Sequence, residues 1–87
     1  LHLPIAKAII NSMTLTEYLQ SGRKTASELA RELGIAPSMI YQYRMGLRTV
    51  PARRCPDIER ATGGVVTRKD LRPHDWHEIW AELKEMA

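Results

Sequence analysis

Three side chains in the segment from Pro37 to Met45, namely Ser38, Tyr41 and Gln42, have the spacing to share the outward side of one helix. Their chemistry suits the edges of nucleic-acid bases, because a glutamine amide can pair twice with adenine and a serine hydroxyl can donate or accept. Tyr41 has a second option, in which its hydroxyl lies against sugar-phosphate and positions the helix without reading sequence. Lys24, Ser27, Arg44, Arg48, Arg53 and Arg54 flank this set and can meet phosphate, together with the amides at the start of the same helix. For Arg53 and Arg54 a solvated surface is an equal reading. Contact with duplex DNA is the chemistry these residues support together.

No second chemistry assembles from the remaining reactive groups. His2, His74 and His77 are scattered, and the last pair has no further ligand beside it, so surface or capping roles are expected and no metal site. The chain has no phosphate-cradling glycine loop, no Ser/His/Asp arrangement and no isolated carboxylate pair. It therefore reads as a non-enzyme with no cofactor and no small-molecule substrate. Cys55, the single cysteine, cannot form an internal disulfide, which fits a reducing cytoplasm. Its expected role is a small core residue; the alternative is a redox-sensing thiol activated by Arg54 and a nearby helix start.

Presenting the Ser38 side to a groove requires a second helix behind it. The string TASELARELGIAPSMIYQYRMG, residues 25–46, supplies that helix with helix-turn-helix spacing. Ala30 is small where two helices would cross, Gly34 permits a left-handed turn, and Ile35 and Ile40 would pin the second helix on the first. Met39, Ile40 and Tyr43 form the inward side, leaving Arg44 and Met45 to point away with the readers.

Helix punctuation elsewhere is equally local. Thr14 with Glu17, Thr25 with Glu28, Thr67 with Asp70 and Asp75 with Glu78 each have the reciprocal pattern that satisfies free N-terminal amides. They predict helices from Thr14 to about Gln20, from Thr25 to about Leu33, one turn after Thr67, and a last helix from Asp75 to about Glu85. A helix from Pro37 to Met45 begins at a proline suited to a first turn, after Ala36 as a weak cap. Another is expected over Arg54 to Thr62, with Pro56 in its first turn and Gly63-Gly64 ending it. Nothing alternates with period two, although Val65-Val66 could pair as an isolated bridge. The fold class is all-α, a compact bundle of about five helices with a C-terminal amphipathic helix.

The chain has 87 residues, 44% hydrophobic and 26% charged, which is ordinary for one small folded domain. No apolar run reaches the roughly 20 residues that span a bilayer, so no membrane partner and no targeting signal are read. Residues 1–12 read as an N-terminal extension, 13–73 as the DNA-binding domain and 74–87 as the C-terminal helix. The net charge of +3 is unevenly spread. Between Arg23 and Arg72, eleven Arg/Lys face five Asp/Glu, while from His74 onward four Asp/Glu face Lys84 alone. A basic middle suits a polyanion and an acidic tail suits something else.

In that tail Trp76, Ile79, Trp80 and Leu83 fall on one helical stripe. Two indoles strain the burial capacity of so small a chain, so the stripe is expected to supply dimer contacts, with packing on its own domain as the alternative. Two subunits would reach two half-sites about one helical turn apart.

The run GLRTVPARRCPDIERATGGVVTRKDLRP, with the motif before it, resembles the YdaS-type antitoxins and Cro-like phage regulators of the λ-repressor-like superfamily. The resemblance covers about Met13 to Trp76. It implies a homodimer on operator DNA that represses transcription in a prophage or toxin–antitoxin locus of a bacterium, with Ser38, Tyr41 and Gln42 at the reading positions. Pro37 stands where many relatives carry a polar reader. The rival reading is an antitoxin-like interaction module that neutralises a partner toxin through its acidic, tryptophan-bearing tail, with DNA contact secondary.

Overall fold

The computed structural model describes residues 12–86, so His2 and the body of the predicted N-terminal extension lie outside the described residues. Six α-helices follow one another: α1 Leu15–Gln20, α2 Ala26–Leu33, α3 Pro37–Arg44, α4 Cys55–Ala61, α5 Arg68–Leu71 and α6 Trp76–Ile79. Short 3-10 segments at Ala52–Arg54 and Ala81–Met86 complete the chain, and the described residues contain no strand. The all-α class read from the sequence is the class observed. The Val65 backbone does pair, but with the segment before α1: the Met13 amide donates to the Val65 carbonyl at 3.0 Å.

Three of the four predicted caps form in full. The Thr14 hydroxyl accepts from the Glu17 amide at 3.2 Å, and the Thr14 amide donates to Glu17 Oε1 at 3.0 Å. Thr25 and Glu28 make the same exchange at 3.1 and 2.8 Å, and Thr67 and Asp70 at 3.3 and 2.9 Å. Hydrogen bonding from the Thr25 amide and then from its hydroxyl holds the Glu28 carboxyl below its ordinary pKa. Ser12 Oγ also donates to Asp70 at 2.9 Å, tying the segment before α1 to α5.

The fourth cap is absent. Asp75 makes no side-chain bond to the amides of α6. Instead, Arg72 donates to both its oxygens, at 3.0 and 2.7 Å, and to the Val50 carbonyl at 2.7 Å. This bidentate pair holds the Asp75 carboxyl below its usual range and is the stronger claim on that side chain. Without its cap the predicted last helix is also interrupted. It stops at Ile79, Trp80 takes φ −123 and ψ 71, and a 3-10 segment resumes at Ala81.

The predicted Arg54–Thr62 helix starts one residue later, at Cys55, after a 3-10 turn in which the Arg54 amide donates to the Pro51 carbonyl at 2.9 Å. At its far end Thr62 is the one buried polar residue outside the hydrophobic cluster among the described residues. Its hydroxyl donates to the Ile58 carbonyl at 2.9 Å and accepts from the Val66 amide at 3.1 Å, so the turn through Gly63-Gly64 is closed from inside.

The core consists of Leu15, Tyr18, Leu29, Ala30, Ile40, Tyr43, Val50, Cys55, Ile58 and Val66, with at least one residue from each of α1 to α4. Helices lean chiefly on their chain neighbours: α2 on α3, α4 on α5 and α5 on α6, with α1 against α3 and α2 against α4 closing the bundle.

Candidate nucleic-acid interface

The turn between α2 and α3 sets the position of the proposed reading helix. Gly34 adopts φ 73, a left-handed conformation that a side chain disfavours, and the following Ile35 amide donates to the Ala30 carbonyl at 3.0 Å. Ala30 is 1% exposed at the crossing, and Ile40 is fully buried beneath α3. The other end of α3 is held from α1, where Thr16 Oγ1 donates to the Arg44 carbonyl at 3.2 Å. Ala36 supplies no side-chain cap, as expected of alanine.

Held in this way, α3 turns Ser38, Tyr41 and Met45 outward, while Met39 is half-buried and Tyr43 is buried. Gln42 lies at the margin of this side, half-buried, and its Oε1 accepts from Arg48 Nε at 2.8 Å. The base-reading and phosphate-binding expectations therefore meet in one hydrogen bond. Arg48 reaches back because Gly46, at φ 75, turns the chain: the Leu47 amide donates to the Gln42 carbonyl at 2.9 Å, placing the next side chain beside Gln42.

The candidate phosphate contacts divide. Ser27, Arg44, Arg48 and Arg53 are exposed, and these three arginines form no ion pair among the described residues. Lys24 is committed elsewhere: its ammonium donates to Glu32 and to the Ala61 carbonyl, both at 2.7 Å, and bridges the ends of α2 and α4. The Glu32 bond raises its pKa. Arg54 is half-buried, with its Nε enclosed and unpartnered among the described residues.

This division has an electrostatic consequence. Glu32, Asp57, Glu59 and Asp75 neutralise Lys24, Arg60, Arg68 and Arg72, respectively. The uncompensated charge of the basic middle includes the arginines of α3 and of the connection after it. Sequence reasoning named those arginines but missed how apolar the outward side is. Met45 is 55% exposed, as is Tyr41, and Leu47 is 70% exposed. The signal was present, because Met45 lies four residues after Tyr41 and so falls on the same side.

Cys55 is fully buried in the core, its Sγ 3.4 Å from the Pro51 carbonyl. Burial pushes its thiol up to about 11, which reverses the lowered pKa that the redox alternative required. Ellman's reagent is expected to leave the native protein unlabelled and to titrate one thiol in denaturant. Labelling of the native state at the rate of a free thiol would contradict the burial.

The tail stripe is not continuous. Trp80 packs partly buried against the core with the Arg68 guanidinium 5.6 Å from its ring, and Leu83 is 8% exposed. Trp76 is half-buried under Lys69, 4.6 Å from its ring, and Ile79 alone of the four stays open, at 38%. No cluster of three or more His, Cys, Asp or Glu side chains that could hold a metal occurs among the described residues, and no described helix is long and apolar enough to cross a membrane.

Residues 24–79 match the family described as "Bacterial toxin YdaS". A protein of Escherichia coli (strain K12) described as "Putative transcriptional regulator YdaS" is 51% identical over 51 residues, which is 58% of this chain and 52% of that protein. The chain thus spans about half the length of the curated relative it matches. The family match reaches from Lys24, just before α2, to Ile79, the last residue of α6, and takes in well over half of the residues; the chain belongs to the YdaS family.

Proposed function

We propose that this chain is a sequence-specific double-stranded DNA-binding regulator of transcription that acts as a homodimer and represses by occupying a promoter. The observation that carries the reading is the exposed side of α3, flanked by Arg44, Arg48 and Arg53, which no carboxylate neutralises among the described residues. A helix of this kind fits a major groove, and the arginines on it and after it suit the phosphates along its walls. Ser38, Tyr41 and Gln42 are the proposed readers, with Ser27, Arg44, Arg48 and Arg53 on the backbone. The description of the Escherichia coli relative as a transcriptional regulator supports the same reading.

The test is selection of bound duplexes from a random pool, followed by a salt titration on the recovered sequence. An enriched sequence is expected, with the affinity falling on a log–log plot by about 0.9 per phosphate contacted. A pool that yields no enrichment, together with no binding to any duplex at low salt, would sink the proposal.

The second reading, a module that meets a partner protein through its tail, draws on the open Ile79 beside exposed Glu78 and Glu82, and on the word toxin in the family description. Deleting the tail from Asp75 would not test it, because Asp75, Trp80 and Leu83 are all built into the fold. Ile79→Ser is the cleaner probe.

A further inference from the structure

Among the described residues, four large apolar side chains stay exposed, and three of them, Tyr41, Met45 and Leu47, lie along and just past the end of α3. Tyr41 and Met45 stand one helical turn apart, and the Met45 amide donates to the Tyr41 carbonyl at 2.9 Å, so the turn is intact up to Met45. Exposed Arg44 and Arg48 accompany this apolar strip and form no ion pair among the described residues. A matching surface must therefore be strongly anionic and also carry apolar patches.

A second copy of this chain fits poorly, since a two-fold contact through the strip would bring the same arginines of both copies together. The major groove of a thymine-containing duplex has both properties: phosphates run along its walls, and each thymine puts a 5-methyl group on its floor. Apolar side chains are the natural partners of that methyl, which carries no hydrogen-bonding information.

We infer that Tyr41 and Met45 read thymine through its 5-methyl group, so that part of the chain's base selectivity comes from apolar contact as well as from hydrogen bonds. This rests on the proposed entry of α3 into the major groove. It adds Met45 to the specificity-determining residues and gives the ring of Tyr41 the reading role.

The experiment uses the duplex recovered by selection and the same duplex with deoxyuridine in place of thymine, position by position. Deoxyuridine keeps every pairing and groove hydrogen-bonding group of thymine and removes only the methyl. Fluorescence anisotropy is expected to show about a fourfold loss of affinity at each position whose methyl is buried. In Tyr41→Ser and Met45→Ser, both exposed positions, the loss at the matching position is expected to vanish while weak salt-sensitive binding remains.

Equal affinity of the unaltered protein for the two duplexes, or a recovered sequence without thymine in its half-sites, would overturn the inference and leave the regulator reading standing. Deoxyuridine sensitivity that survives both serine variants would place the methyl contacts elsewhere and overturn it too. Serine variants that change the sedimentation-derived mass, or that lose binding to phosphatidylserine vesicles, with no change in deoxyuridine sensitivity, would give the strip to another partner. Failure to bind any duplex at low salt is a different result, because it removes the regulator reading itself.

Discussion

Ile40→Ala is expected to lower the unfolding free energy by about 2–5 kcal/mol, the range for truncating a buried isoleucine. Ile40 is fully buried on the inward side of α3, within the cluster that joins α1, α2 and α4. No α-helix among the described residues exceeds eight residues, and helices of that length are marginal alone in water, so α3 exists because its neighbours hold it. Urea titration should show the midpoint falling by about 1 M or more, given slopes of about 1–3 kcal/mol per molar. DNA affinity at a fixed temperature should fall with the folded fraction and recover at lower temperature or with added osmolyte. An unchanged midpoint would mean that α3 is not packed as described.

The second large effect concerns selectivity. Gln42→Ala and Arg48→Ala are each expected to cost about 1–3 kcal/mol of discrimination at the base facing Gln42, and the double variant to cost less than their sum. The reason is the 2.8 Å bond from Arg48 Nε to Gln42 Oε1, which fixes the amide so that its NH2 group is the end left to donate. From sequence alone Arg48 was expected to weaken all duplexes alike, as a phosphate contact does. The bond gives it a positioning role as well, so the salt slope and the base preference should change together in Arg48→Ala. Measuring the three variants on operators permuted at that base separates the two views. Strict additivity, with Arg48→Ala equally damaging to random DNA, would return Arg48 to the phosphate role alone.

Both predictions depend on features that differ in how far the sequence announces them. The caps at Thr14, Thr25 and Thr67 were legible because each is settled by two residues three apart, whatever the rest of the chain does. The helix-turn-helix was legible for the same reason, with Gly34 and Ala30 answering to backbone geometry. Asp75 followed the same local rule and broke it, because Arg72 reached it from within the same turn while also grasping Val50, a partner no short window contains. The break at Trp80 has the same origin: Trp80 and Leu83 turn to the core of their own domain, and a continuous helix would have kept them on one outward stripe.

The site was legible as a set of types and less so as an arrangement. Ser38 and Tyr41 are exposed where the helical period puts them. Lys24 has the composition of a phosphate contact, yet its ammonium bonds Glu32 and also the Ala61 carbonyl 37 residues along the chain, a tertiary bond with no local signature. Met45 is exposed on the outward side, as its place four residues after Tyr41 implies; what went unread is that, with Tyr41 and Leu47, it makes that side apolar.

The packing of most helices on elements close to them along the chain also has a kinetic consequence. Few distant segments must find each other before contacts begin to stabilise the chain, and topologies of this kind fold in about microseconds to milliseconds. A copy that opens by thermal fluctuation should therefore close again before slower hazards such as aggregation or cleavage overtake it, without a disulfide to hold it shut.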